Sequence, residues 1–184
     1  NFYNQRRREL LNTKPNAGHI GLADLEQEFD VHIITQNIDN LHERAGSSHI
    51  IHLHGELTKV CSSRDPYNPH YIKELKPEEY EVKMGDKAGD GTQLRPFIVW
   101  FGEAVPEIET AVRYVEKADI FVIIGTSLNV YPAAGLLHYV PRGAEVYLID
   151  PKPVDTHTSR SIHVLRKGAS EGVEELKQLL IPAP

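Results

Sequence analysis

Short apolar runs that stop at polar residues recur along this chain, separated by stretches with helical spacing. Val31-His32-Ile33-Ile34 leads into Thr35-Gln36-Asn37-Ile38-Asp39-Asn40-Leu41-His42, and Ile50-Ile51 with Leu53 leads into His54-Gly55-Glu56. Ile120-Phe121-Val122-Ile123-Ile124 ends at Gly125-Thr126-Ser127; Glu145-Val146-Tyr147-Leu148-Ile149 ends at Asp150-Pro151; Ile162-His163-Val164-Leu165 ends before Gly168-Ala169-Ser170. These runs predict strands, the unbroken one at 120–124 being covered on both faces. Helices are predicted over 2–12, over 17–29 behind an Asn16 N-cap, over 106–118 with Pro106 in its first turn, over 132–140 and over 171–180. Strands alternating with helices indicate an α/β fold with a parallel sheet. In such a sheet ligands bind outside the carboxyl ends of the strands, so the amide-rich loop at 36–39 and His54 are expected to share one cleft.

Between 58 and 94 the pattern changes. Prolines at 66, 69 and 77, dense charge, and glycines at 85, 89 and 91 predict a small polar surface module rather than sheet, with a mobile loop over 86–91. The strand pattern resumes at Phe97-Ile98-Val99-Trp100-Phe101, followed by Gly102-Glu103.

Composition narrows the functional classes. A length of 184 residues suits one domain with a small insert. A net charge of -6 offers no basic footprint for nucleic acid, and no apolar run approaches the length of a membrane span. The single cysteine, Cys61, excludes an internal disulfide and suits a reducing cytoplasm.

Each candidate motif has two readings. Gly125-Thr126-Ser127 is either a phosphate or ribose contact, with glycine permitting close approach and hydroxyls donating, or simply a turn. Asp150 accepts from ribose hydroxyls or caps a turn. Gln36, Asn37 and Asp39 offer two amides and a carboxylate, yet Asn and Asp are common turn formers. His54 is a proton-transfer group or a satisfied structural histidine.

Taken in order, Thr35-Gln36-Asn37-Ile38-Asp39-Asn40-Leu41-His42, His52-Leu53-His54-Gly55-Glu56, Val99-Trp100-Phe101-Gly102-Glu103 and Gly125-Thr126-Ser127 with Val130-Tyr131-Pro132-Ala133-Ala134-Gly135 resemble the sirtuin family of NAD-dependent protein lysine deacylases. The resemblance covers nearly the whole chain. It implies a Rossmann-like parallel sheet with helices on both faces, built from 1–57 and 96–184, with 1–14 belonging to a helical module and 58–95 forming the insert. It also implies that NAD is consumed, nicotinamide leaves, and the acyl group passes from lysine to ADP-ribose. His54 matches the catalytic base acting on a ribose hydroxyl. Asp39 would hold the nicotinamide carboxamide, and Asn37 would order the ribose or a water. Gln36 and Ile38 line the same loop. Gly125, Thr126 and Ser127 match contacts to the adenosine side, as do Asp150, Pro151, Lys152 and Ala169, with Asp150 where the family usually has asparagine. Val99, Phe101, Gly102 and Glu103 match one wall of the acyl-lysine tunnel, and Asn129 and Val130 the strand that pairs with substrate peptide. Partners are thus acyl-lysine proteins met by a monomeric enzyme. The rival readings are a non-catalytic nucleotide or acyl-lysine binding module and a mono-ADP-ribosyltransferase.

Tyr3 and Arg6 resemble the Tyr-x-x-Arg pair of the branch that accepts succinyl-, malonyl- or glutaryl-lysine. At i and i+3 they share a helix face, and a guanidinium fork with a phenol hydroxyl suits a carboxylate. The other reading is a solvated basic face, in which Arg7 and Arg8 are also placed. Two departures from the family stand out. The insert lacks the paired cysteines of the usual structural zinc, with Cys61 and His70 its only candidates, so no zinc is expected and Tyr67, Tyr71, Ile72, Leu75 and Tyr80 are expected to hold it. The strand and Gly-Ala-Gly-x-Ser loop that open the family's fold have no counterpart. The resemblance is therefore to the C-terminal portion of a sirtuin, and the chain as written is expected to be inactive alone.

Overall fold

The computed structural model describes residues 2–100, 103–125, 133–156 and 158–182. Helix α1 (Phe2–Leu11) buries Asn4, Arg7 and Leu10, one residue per turn on a single face. Arg7, expected at the surface with Arg8, is instead 1% exposed. Its Nε donates to the Leu57 carbonyl at 2.8 Å and its Nη1 to Asn4 Oδ1 at 2.9 Å. Helical phase decides among the three consecutive arginines, because position 7 lies three residues from both Asn4 and Leu10, whereas 6 and 8 are each only two from one of them. Asn4 exchanges two further bonds with the Val82 backbone, donating to its carbonyl at 2.9 Å and accepting from its N–H at 3.0 Å.

Helix α2 (Ala17–Asp24) begins at Asn16, whose side chain accepts from the His19 N–H while His19 Nδ1 accepts from the Asn16 N–H, both at 3.0 Å. This is a reciprocal cap with histidine in the usual Glu position. The helix tightens into a 3₁₀ turn at Leu25–Gln27, short of the expected end at 29. Strand β1 (Ile33–Thr35), helix α3 (Leu41–Ala45) and strand β2 (Ile50–His52) follow, and β1 pairs with β2 in parallel, Thr35 opposite His52.

The insert is a sheet, which corrects the expectation of a polar module without one. Strands β3 (Gly55–Ser62), β4 (Lys73–Glu74) and β5 (Leu94–Ile98) form an antiparallel sheet in the order β4-β3-β5. Strand β3 buries Leu57, Thr58, Val60, Cys61 and Ser62, and its register with β5 shifts between Glu56 and Val60. That bulge breaks the alternation by which a strand is recognised. Val60, Leu75 and Tyr80 form the module's core with Val82 and Leu94, whereas Tyr67 is 40% exposed. The 86–91 segment, expected to be mobile, is tied by Ala88 N–H to the Thr92 carbonyl (2.8 Å), Leu94 N–H to the Asp86 carbonyl (2.9 Å), and hydrogen bonds from Ser62 and Thr92 to the Asp90 carboxylate. Those two side-chain bonds hold the Asp90 carboxyl down at about 2.

Helix α4 (Ile108–Val115), strand β6 (Ile120–Ile124), helix α5 (Ala133–Leu136), strands β7 (Glu145–Ile149) and β8 (His163–Leu165), and helix α6 (Ala169–Leu180) complete the chain. Strands β6, β7 and β8 are parallel in that order. Among the described residues, this ladder and the β1–β2 pair are joined by no strand pairing. They share a core: Leu53 packs in one cluster with Ile123, Val146, Leu148, Ala111 and Val115. A second cluster, Leu25, Ile149, Leu165, Val173 and Leu176, brings α2 and α6 onto the sheet. No helix among the described residues is long and apolar enough to cross a membrane.

Gly55 fixes how β3 leaves the His54 turn. Its φ is 87°, and a Cβ there would run into the Phe97 carbonyl. The left-handed conformation costs an L-residue about 1–2 kcal/mol before the steric clash is added. Gly55→Ala is expected to destabilise the chain by at least about 2 kcal/mol, a fall in Tm of roughly 4–8 °C. An unchanged Tm in a calorimetric scan contradicts this placement.

Candidate functional site

The 36–39 loop is held by its backbone. The Asn37 N–H donates to Thr35 Oγ1 at 3.0 Å, the Asn37 carbonyl lies 3.0 Å from His52 Nδ1, and the Ile38 carbonyl accepts from the Leu57 N–H at 2.8 Å. Asp39 Oδ1 accepts from the Leu41 N–H at 3.1 Å in the turn that leads into α3. The Asn37 residue is exposed while Gln36, Ile38 and Asp39 are half-buried. His54 sits across from this loop, its Nε2 3.4 Å from Gln36 Oε1. Its carbonyl accepts from the Val99 N–H at 2.9 Å, tying the 99–103 segment to the same turn.

Glu103, expected on the wall of a substrate tunnel, turns its carboxylate onto its own segment. Oε1 accepts from the Trp100 N–H at 2.6 Å and from Arg95 Nη2 at 3.3 Å, while the Arg95 guanidinium lies 3.8 Å from the centre of the Trp100 ring. It shapes the segment that carries Val99. Phe101 and Gly102 lie outside the described residues, as do Thr126, Ser127, Asn129 and Val130.

At the other ladder, Gly125 follows β6 with φ 60°, and its N–H donates to the Ile149 carbonyl at 3.0 Å. Asp150 follows β7; its Oδ1 accepts from the Lys152 N–H at 2.8 Å, the turn-capping alternative, with Pro151 between them. Ala169 opens α6 just beyond β8. Each set of candidates thus follows the carboxyl ends of its own parallel ladder. At the opposite flank of the 36–39 loop, Tyr3 and Ile38 pack on one cluster, Leu10, Leu41 and Leu57, together with Ile98. Arg6 is exposed, its guanidinium 5.6 Å from the Phe2 ring centre.

The residues missed from the sequence are His52, Glu43, Arg95 and Arg44. His52 is buried between the Asn37 carbonyl and Glu43 Oε2, 2.7 Å from the latter, with Glu56 Oε1 at 3.8 Å. Nothing in residue spacing pairs Glu43 with His52; only its lying in the same motif as His54 hinted at a role. Glu43, His52 and Glu56 are also the one group of three metal-capable side chains close together among the described residues. Their contacts are already used among themselves and by Lys59, which is 2.7 Å from Glu56. His42, next to Glu43, is kept below the ordinary histidine range by burial and by neighbouring His19.

A histidine set against an amide-rich loop at the carboxyl ends of parallel strands lies where open α/β sheets bind their ligands. A Sir2 family sequence profile matches residues 1–132. A protein from Bacteroides thetaiotaomicron named NAD-dependent protein deacylase is 91% identical over the whole chain, which spans 79% of it. A Helicobacter pylori protein of the same name is 48% identical over 98% of the chain and 76% of its own length. A solved Sir2 homologue–NAD complex superposes with a TM-score of 0.80 at 35% identity, covering 97% of this chain and 69% of that one. The chain belongs to the Sir2 family.

Cys61 lies near Arg95 and is fully buried. Burial pushes its thiol up to about 11, against the opposing pull of Arg95. At pH 8 only about one thiol in a thousand is then the reactive thiolate. Ellman's reagent should therefore titrate less than about a tenth of an equivalent in the native chain and one full equivalent in denaturant; rapid native labelling refutes the placement.

Proposed function

We propose that this chain removes acyl groups from protein lysines at the expense of NAD, releasing nicotinamide. The observation that carries this reading is His54 set against Gln36 beside a loop whose Asn37 peptide and Ile38 carbonyl are held by neighbouring groups and whose Asn37 residue is exposed. The names of the relatives and the NAD-bound neighbour support the same reading.

The donor set fits the dinucleotide. Amides at 36 and 37 and a carboxylate at 39 match the hydrogen-bonding needs of a carboxamide and ribose hydroxyls. When bound, NAD supplies the electrophilic ribose carbon and the acceptor for the acyl group. In this reading His54 takes the proton from a ribose hydroxyl, and histidine is the side chain whose charge changes near neutral pH. Asp39 is presented by the start of α3, and Asn37 by a peptide bonded on both sides. Glu103 and Arg95 hold Val99 for the acyl-lysine. The enzyme acts on acyl-lysine proteins as a monomer in the cytoplasm, where a single buried cysteine is at no disadvantage.

In the full native chain, His54→Ala should abolish nicotinamide release from NAD and acyl peptide while both ligands still bind; near wild-type turnover in that variant overturns the base assignment. Label passing from NAD to protein, with no free deacylated peptide, would replace this reading with ADP-ribosyl transfer.

For acyl choice, the reading assigns Tyr3 and Arg6 to the distal carboxylate of a succinyl or malonyl group. Tyr3 packs on the cluster that also takes Ile38, so α1 flanks the cofactor loop. A charge-assisted bond is worth about 1.5–3 kcal/mol, and each 1.4 kcal/mol is about tenfold in rate. Arg6→Met is expected to lower kcat/KM on succinyl-lysine peptide by about 10- to 100-fold and on acetyl-lysine by less than about threefold. Equal losses on the two peptides, or none, reject the carboxylate role.

A further inference from the structure

His52 faces acceptors on both of its ring nitrogens. Nδ1 is 3.0 Å from the Asn37 carbonyl and Nε2 2.7 Å from Glu43 Oε2, with Glu56 Oε1 3.8 Å away. A carbonyl and an ionised carboxylate only accept, and a neutral imidazole has one N–H. Turning the ring over sets carbons against both partners and loses both bonds. A proton on Glu43 is opposed by its environment: burial alone would raise that carboxyl, but the His52 hydrogen bond and charge bring it below the ordinary range. Two donated bonds therefore require protons on both nitrogens.

The surroundings suit a cation. Facing His52 are Glu43 and His42 from α3, and Glu56 with its partner Lys59 from β3; β1 offers uncharged Thr35, its register partner. Burial and His19 hold His42 below the ordinary histidine range, which weakens its competition for positive charge.

We propose that His52, as a doubly protonated imidazolium, is the positioning residue that latches the Asn37 peptide, and that losing this proton releases the cofactor loop. The proposal rests on the reading of that loop as the NAD site. When one proton leaves, the remaining one stays on Nε2, because the charge-assisted bond to Glu43 is the stronger of the two and a bare Nε2 would face a carboxylate. The Asn37 carbonyl then loses its donor. Burial by itself would favour this loss, but the bond to Glu43, the bond to the Asn37 carbonyl and the charges of Glu43 and Glu56 outweigh it and raise His52 above the ordinary histidine range. A raised folded-state value means the latch is complete below the unfolded histidine range and opens as pH climbs through the folded value. The reaction then has an alkaline limb set by His52.

Two substitutions separate the nitrogens. Asn at 52 places an amide donor where Nδ1 was and keeps the bond to the Asn37 carbonyl; Gln places one near Nε2 and keeps only Glu43. In the full native chain, His52→Gln should raise KM for NAD about tenfold with a smaller change in kcat. His52→Asn should stay within about threefold of wild type and lose the alkaline limb. Equal losses in both variants, or wild-type pH profiles in both, overturn the proposal. A second measurement needs no turnover and no cofactor: nitrogen-15 NMR of the imidazoles should show both His52 nitrogens protonated at pH 7 and titrating above the ordinary histidine range. A neutral, single-tautomer His52 at pH 7 overturns the proposal even if nicotinamide release is normal, whereas failure of nicotinamide release alone bears on the NAD reading instead.

Discussion

A loop meant to hold a ligand must keep its own peptide groups from competing for it. Backbone N–H and C=O groups that lose water demand partners, and an unmade bond costs about 1–3 kcal/mol. Here two carbonyls of the 36–39 loop are met from one neighbouring segment. The strand-to-turn stretch from His52 to Leu57 supplies the His52 ring to the Asn37 carbonyl and the Leu57 N–H to the Ile38 carbonyl, while Thr35 closes the loop from behind. The segment that carries the candidate base is thus the segment that shapes the candidate cofactor loop. Moving one moves the other.

The same economy ties in α1. Arg44 in α3 donates to the Leu10 and Thr13 carbonyls at 3.1 and 2.6 Å, at and just beyond the end of α1. Glu43, one residue earlier, holds His52. One short helix therefore grips the candidate cofactor loop through Glu43 and His52, and α1 through Arg44. On its other flank α1 is fixed to the antiparallel module by Arg7 at Leu57 and by Asn4 at Val82. Burying the Arg7 guanidinium lowers its proton affinity through desolvation. Its directional bonds compensate by fixing orientation, which apolar contacts from Leu10 alone do not.

Much of the scaffold was legible because apolar runs and caps act locally. The strands at 120–124 and 145–149 are long enough to show a pattern, and Asn16 caps α2 through bonds spanning three residues. What was illegible depends on contacts between distant positions. Strand β3 hides behind a bulge that interrupts its alternation. Arg7 is distinguished from Arg6 and Arg8 only by helical phase against Leu57, fifty residues on. His54 and Gln36 could be expected to meet because both follow strands of one parallel pair. His52's dependence on Glu43 and Glu103's turn back onto Trp100 follow from side-chain directions that no local pattern encodes.

Three consecutive residues show how the two halves of the crevice are kept in step. His52 engages the loop, Leu53 enters the core, and His54 faces Gln36. Leu53 is 1% exposed and packs with Ile123, Val146 and Leu148 of the other ladder, to which no strand pairing connects it among the described residues. Its N–H donates to the Thr35 carbonyl at 2.9 Å, so its backbone belongs to the β1–β2 side. The registration of His54 relative to Gly125 and Asp150 therefore passes through side-chain packing, with Leu53 its most buried member on the β1–β2 side and Ile34 and Ile51 beside it. Close-packed interiors resist such displacement because even a methylene-sized void is felt. Leu53, with Ile34 and Ile51 packed on the same cluster, thus links His52, His54 and the far ladder through contacts that a change of volume would loosen together.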